Sequence, residues 1–334
     1  DTATSIAKEA GIITSKNDVA LTSKEFNNLS NEEISTLYSR IKVIARALPK
    51  DKSRMVKILQ NIDLIVGMTG DGINDAGALK TADVGFAMGS GTEVAKEASD
   101  IIILDDNIKS ITKAILFGRT IFKSIRKFII FQLTVNICAM IMAIMGPIFD
   151  ITTPVTVIQM LWINMIMDTL AGIAFASEPP LLEYMLEAPK TKAVPIINSY
   201  MFKEILFTGL YTSLLGIFFL KSNFVYNFIR YSSDYRYLYT AYFAFFIFSA
   251  LFNALNARTT RLNILANITK NKPFIFIFTG ITIVQLYLIY FGGDLFRTYG
   301  LTVKELLFVI LLSLSVIPFD WLRKSLISKE SKKL

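Results

Sequence analysis

Apolar and polar positions are unevenly distributed along the 334 residues. Up to about residue 127 short apolar runs alternate with mixed, charged stretches; beyond it come apolar runs long enough to cross about 30 Å of hydrocarbon. In the first region four β-like runs (Lys42 to Ala47, Asp63 to Met68, Val84 to Met88, Asp100 to Leu104) are separated by helical patterns near Lys50 to Gln60, Asn74 to Thr81 and Thr92 to Ala98. Strand alternating with helix predicts a parallel α/β sheet. The opening D-T-A-T-S-I-A-K-E-A-G-I reads as a capped amphipathic helix ending at Gly11, not as a signal peptide. In the second region six spans are predicted: Ser124 to Phe149, Val155 to Ala176, Met201 to Leu220, Tyr237 to Ala257, Pro273 to Phe291 and Val303 to Leu322. This is an all-α membrane domain of six transmembrane helices.

Composition agrees: at 53% hydrophobic residues the chain is too apolar for an ordinary soluble protein and must meet membrane lipid. The net charge of +8 sits mostly in the membrane half and its tail, which reads as a topology signal, with no nucleic-acid footprint. Lys190, Lys192 and Lys203, then Arg258, Arg261, Lys270 and Lys272, then the tail Arg323, Lys324, Lys329, Lys332 and Lys333 are expected to face the cytosol, with both chain ends inside. The loop Lys221 to Arg236 is also somewhat basic. The single Cys138 permits no disulfide within one chain, and with no histidine a bound metal should be a hard, oxygen-liking one.

The densest chemistry lies at Thr69 to Gly77, T-G-D-G-I-N-D-A-G. Gly70 and Gly72 are expected to take positive φ and bring N–H groups near an anion; Asp71 and Asp75 offer hard oxygens suited to Mg²⁺; Asn74 adds an amide for a phosphoryl oxygen or water. The helix expected to follow puts the cluster at a helix N-terminus and at the carboxyl end of a strand, where such sheets bind ligands. Lys52, in L-P-K-D-K, falls at the same edge; its plainer reading is a solvated lysine at a helix start.

Polar groups inside the spans are few. Gln132 and Asn136 share a face at i, i+4, and so do Asn164 and Asp168, the only acid near the middle of a span. A cation is the obvious compensation for an intramembrane carboxylate. Asn136, Asn164 and Asp168 supply three or four oxygens, whereas Ca²⁺ takes six to eight, so the site would need another helix. Gln132, Gln285, Asn253 and Asn256 are read instead as amides that knit helices together. Lys123, Arg126 and Lys127 group at the membrane interface, either on a helix that transmits motion or as a snorkelling anchor.

The string G-D-G-I-N-D-A-G-A-L-K-T-A-D-V-G-F-A-M-G, followed by V-A-K-E-A-S-D-I-I-I-L-D-D-N, resembles the phosphorylation-domain hinge of P-type ATPases, most of all plasma-membrane calcium pumps, and the similarity runs from Thr2 to about Pro318. The resemblance implies a partial HAD-like phosphorylation domain (residues 1–123), transmembrane helices matching five to ten of the family (124–322) and a solvated basic cytosolic tail (323–334). It implies that Asp71 holds the catalytic Mg²⁺, that Asn74 and Asp75 order the phosphate site, that Lys52 contacts the transferred phosphoryl group, and that Asn136, Asn164 and Asp168 bind the transported Ca²⁺. Ala139, Met167 and Ala250 stand where two-ion relatives carry oxygen ligands, which implies one Ca²⁺ per cycle. Thr169 and Gly172, just after Asp168, imply local unwinding around the ion.

The strings D-K-T-G-T, T-G-E-S and P-E-G-L are missing from the sequence, and of the T-G-D before the opening helix at most Asp1 remains. The expectation is the C-terminal part of an ATP-driven cell-membrane pump that begins in mid-domain, partnered by a missing N-terminal part and inactive without the phosphorylated aspartate. Mn²⁺ is the alternative cargo, proton counter-transport follows by analogy, and the rival reading is a truncated scaffold or regulator without turnover.

Overall fold

A computed structural model describes residues 2–151, 154–191 and 193–331; Asp1, Lys192, Lys332 and Lys333, which the sequence reading used, and the side chain of Lys329 lie outside the described residues. The chain divides into two compact units, residues 1–117 with 182–195, and residues 118–181 with 196–334.

The first unit runs α1 (Thr2–Glu9), β1 (Val19–Thr22), α2 (Ser23–Asn28), α3 (Asn31–Leu37), β2 (Ile41–Ala45), α4 (Pro49–Asn61), β3 (Gly67–Gly70), a 3₁₀ turn (Ile73–Asp75), α5 (Ala76–Thr81), β4 (Val84–Met88), α6 (Glu93–Glu97) and β5 (Ile101–Ile103). Capping boxes start α2 and α3: Thr22 with Glu25 and Ser30 with Glu33 exchange side-chain and backbone hydrogen bonds. All strand pairs are parallel, as the alternation predicts, but they form two sheets, β1-β2 and β3-β4-β5. The pattern missed β1, whose four residues V-A-L-T are too short to show a period, and β1 takes up β2. The run expected from Asp63 begins as a strand only at Gly67, because Asp63 adopts φ 61° and Leu64 N–H returns to Leu59 O, making the first part of the run the exit from α4. Phe26, Ile34, Ile41 and Ile58 form one core; Leu79, Ala87 and Ala95 form another beneath the three-stranded sheet.

The helix α7 (Ile108–Ile148) is unbroken for 41 residues, about 60 Å. The second unit continues with α8 (Val157–Leu161), a π-helical turn (Trp162–Met167), α9 (Asp168–Ala176), α10 (Ser199–Lys221), α11 (Asn223–Tyr226), α12 (Arg236–Arg258), α13 (Lys272–Phe291), α14 (Gly293–Phe296), α15 (Val303–Leu314) and α16 (Val316–Ser331). Among the described residues six helical stretches are long and apolar enough to cross a membrane, at the six places the apolar runs predict. α12 lies innermost, its Tyr242, Phe243 and Phe245 enclosed and Phe245 stacked on Phe219 of α10. Exposed apolar side chains such as Phe276 and Leu311 suit helices that face lipid.

The basic end departs from expectation. Arg323 and Lys324 are buried, not solvated. Arg323 pairs with Glu204 at 3.1 Å and Asp320 at 2.7 Å, while Lys324 pairs with Asp320 at 2.7 Å and donates to the carbonyls of Asn256 and Thr259. Two acids and two bases in ion-pair contact can be buried together, which neither pair member could be alone.

Candidate functional site

Asp71 follows β3 directly, at the carboxyl end of the strand, and is exposed together with Asn74 in the 3₁₀ turn. Asp75 is buried beneath them. Lys52, in the first turn of α4, reaches Asp75 Oδ1 at 2.5 Å, so four of the residues singled out from sequence converge on one edge. The other oxygen of Asp75 accepts from the N–H groups of Asp71 and Gly72, both at 3.3 Å. Burial pushes the Asp75 carboxyl up, but the Lys52 ammonium and the Gly72 and Asp71 N–H groups outweigh it and hold the group below the usual carboxylate range.

The glycines serve a different purpose from the one expected. Neither Gly70 nor Gly72 takes positive φ; among the described glycines only Gly11 and Gly293 do so. A Cβ on Gly70 would lie 2.4 Å from Asp75 Cβ, so glycine is required for the close approach of Asp75, not for a left-handed turn. The cluster caps a helix of only six residues, and Asp75 turns back to the loop instead of capping α5.

Two supports were not legible in the sequence. Asp51, beside Lys52, is fully buried and accepts from Ser23 Oγ (2.6 Å), Asn27 Nδ2 (2.8 Å) and Leu48 N (2.9 Å), pinning α2 to the start of α4. Burial raises this carboxyl, yet the Ser23, Leu48 and Asn27 donors bring it below its ordinary value. The loop after β4 holds Asp71 in place: Thr92 N donates to Asp71 O at 2.8 Å, and a Cβ on Gly91 would meet that carbonyl at 3.0 Å. Among the described residues no three acidic or thiol side chains gather as a metal site. An exposed Asp71 with one neighbouring, lysine-paired carboxylate fits Mg²⁺, which keeps waters and is completed by substrate phosphates.

In the second unit, Gln132 Nε2 donates to Asp168 Oδ2 at 2.6 Å, joining α7 to α9. Asp168 is buried, and its Oδ1 and the Gln132 Oε1 have no hydrogen-bond partner. A carboxylate oxygen enclosed without a donor is costly unless a cation meets it. Asn136 and Asn164 are exposed and form no hydrogen bond to Asp168. The structure thus brings Asp168 to Gln132, not to the two asparagines grouped with it from sequence. Backbone irregularity also falls elsewhere: the residues after Asp168 are α-helical, with Thr169 Oγ1 bonded to Met165 O, whereas the π-helical turn Trp162–Met167 precedes it. π turns are recurrent at functional sites. Of the amides read as packing groups, Asn256 bonds Val316 O at 3.1 Å as expected, while both polar atoms of the buried Gln285 and the Asn253 Nδ2 have no partner.

Sequence reasoning also passed over Glu178, two residues beyond the end of α9. It accepts from Lys127 Nζ at 2.9 Å and Asn271 Nδ2 at 3.0 Å, and pairs with Arg258 at 3.5 Å. The A-S-E-P-P string reads as a helix end followed by a loop, and only the fold reveals its partners.

Comparison with known proteins fits this geometry. Residues 6–115 match the haloacid dehalogenase-like hydrolase family and residues 152–326 match the C-terminus of the cation transporting ATPases. The chain is 38% identical over 315 residues to calcium-transporting ATPase 3, plasma membrane-type, of Oryza sativa, covering 93% of this chain and 30% of that protein. It is 39% identical over 301 residues to calcium-transporting ATPase 2 of Schizosaccharomyces pombe (88% and 23%) and 38% identical over 341 residues to human plasma membrane calcium-transporting ATPase 1 (95% and 28%). The chain therefore spans between about a quarter and a third of the length of these relatives. With the six helices in place and just over half of the residues inside one family match, the chain belongs to the cation transporting ATPases, where it corresponds to their C-terminal part.

Proposed function

We propose that this sequence is the C-terminal part of an ATP-driven P-type pump that exports one Ca²⁺ per cycle from the cytosol across the cell membrane. The observation that carries the reading is Asp168: a buried carboxylate within a spanning segment, beside a π turn, with one oxygen held by Gln132 at 2.6 Å and the other without a donor. The calcium-transporting relatives give the same cargo. Asn136 and Asn164, which are exposed and not bonded to it, are proposed as further ligands completed by groups from outside this sequence. One ion per cycle follows from the lack of side-chain oxygens at Ala139, Met167 and Ala250.

On the other unit, Asp71 is proposed to hold Mg²⁺, which supplies charge neutralisation at transferring phosphate when bound. Lys52 presents its ammonium to the phosphoryl group and Asp75 fixes that ammonium; Gly70 and Gly72 let the loop approach, and Asn74 orders it. The sequence contains no D-K-T-G-T string, so the phosphorylated aspartate and most of the ATP site are assigned to polypeptide other than these residues. Residues 1–123, 124–322 and 323–334 are proposed as cytosolic, membrane and tail segments.

The test uses the intact polypeptide that contains this sequence. Asp168→Asn should raise the calcium needed for phosphorylation from ATP on the order of 100-fold or abolish it, the loss expected for one charged buried partner. Wild-type phosphoenzyme at low calcium would remove Asp168 from the site, and phosphorylation driven by Mn²⁺ in preference to Ca²⁺ would change the cargo.

A further inference from the structure

The groups that hold α7 against the Asp168 helix extend beyond Asp168. α7 carries Lys127 and Gln132, five residues or about 7.5 Å apart along one rigid axis. Gln132 is tied to Asp168 and Lys127 is tied to Glu178, so α7 meets the α9 segment at two points, at 2.6 and 2.9 Å. Both bonds are charge-assisted and shielded: the Glu178 side chain is 5% exposed and that of Lys127 17%. An axial slip or rotation of α7 at one point must appear at the other, because a helix of this length moves as a unit over five residues.

Glu178 is itself anchored. Arg258, at the end of α12, is 2% exposed and donates to the carbonyls of Ile264 and Ala266 while facing Glu178 at 3.5 Å. Asn271, fully buried at the start of α13, donates to Glu178 and to Ala174 O on α9 and accepts from Phe274 N. One carboxylate therefore gathers four helices, and its two cations leave the group with a net charge of +1. Loss of Glu178 would leave two enclosed cations facing each other; loss of Lys127 would leave a balanced Glu178–Arg258 pair.

We propose that Glu178 is a positioning residue for the cation site: through Lys127 it sets the register of α7 on α9 and so the placement of Gln132 on Asp168. This rests on the pump reading above. In the intact polypeptide, Lys127→Met, the variant that leaves a balanced Glu178–Arg258 pair, should raise the calcium giving half-maximal phosphorylation about tenfold, while the maximum at saturating calcium stays within about twofold. Glu178→Gln, which leaves the Lys127 and Arg258 cations facing each other, should raise it further, and adding Lys127→Met to it should bring it no higher, because the same tie is lost and one of the two enclosed cations goes with it. A Gln132→Ala variant should add nothing to Lys127→Met if the two ties act as one. Unchanged half-saturating calcium in Lys127→Met, or additive shifts in either double variant, overturns the proposal. Failure of the wild type to phosphorylate in a calcium-dependent way would instead overturn the pump reading, so the two failures are told apart by the control.

Discussion

Asp51 shows how a side chain with no obvious chemistry sets one that has it. Its carboxylate satisfies Ser23, Asn27 and the Leu48 N–H, and that seats the first turn of α4 from which Lys52 reaches Asp75. Asp51→Ala should destabilise the first unit by about 3 kcal/mol, since three donors lose a charged, buried acceptor; denaturant unfolding measures it. The pH dependence has a definite sign. Asp51 and Asp75 are both held below their ordinary values, so the stability they contribute is fully present above the unfolded value of about 3.9 and is lost as the pH falls through the lower folded values. Acid unfolding of Asp51→Asn should accordingly show a weaker dependence on pH below about 4 than wild type. Residue types at the T-G-D-G-I-N-D cluster were legible because acids, amide and glycines crowd one loop. Asp51 and Glu178 were not, because each looks like an ordinary helix-end acid until donors distant in sequence, Ser23 for the one and Lys127, Arg258 and Asn271 for the other, are folded against it.

Long elements announced themselves and short ones did not. Spans of about 20 residues average out local accidents of sequence, so five of the six fall within a few residues of the apolar runs, and α7 differs by beginning sixteen residues before its run at Ser124. Strands of three to five residues are decided by a single turn: Asp63 at φ 61° delays β3, and β1 exists because β2 offers it a parallel partner. The π turn is beyond any pattern of apolar positions, since one extra residue per turn leaves composition unchanged. Its consequence can be tested directly. Trp162–Met167 absorbs one extra residue, so α8 and α9 keep about the phase of a continuous α-helix, and inserting one alanine between Ile158 and Gln159 of α8 should turn Asp168 by about 100° relative to the start of α8. The expected outcome is a chain that still inserts, as the span remains long enough, with calcium-dependent phosphorylation lost. An insertion variant with wild-type calcium dependence would show that the rotation of α9 on α8 does not set the Asp168 position.

At the scale of the whole molecule, orientation in the membrane follows from parity and charge. Six crossings, which the six long apolar helices among the described residues would allow, should put both ends on the same side, and Lys and Arg counts predict which. The segment between α12 and α13 carries Arg258, Arg261, Lys270 and Lys272, while the segment between α10 and α12 carries Lys221, Arg230 and Arg236. Pairing acts on both segments: Arg258 is bound to Glu178 at 3.5 Å in the first, whereas Arg230 is bound to Glu305 at 2.9 Å and Arg236 to Asp234 at 2.7 Å in the second, two of whose three cations are thus matched by carboxylates. Asn263 should therefore face the cytosol and Ser233 the outside. Both are exposed, and the single native thiol, Cys138, is buried, so introduced cysteines report without background. In sealed cells an impermeant maleimide should label Ser233→Cys and leave Asn263→Cys unlabelled until the membrane is opened. The reverse pattern would place Lys127, Glu178 and Arg258 on the outer side, away from any ATP, and the proposed direction of export would fail with it.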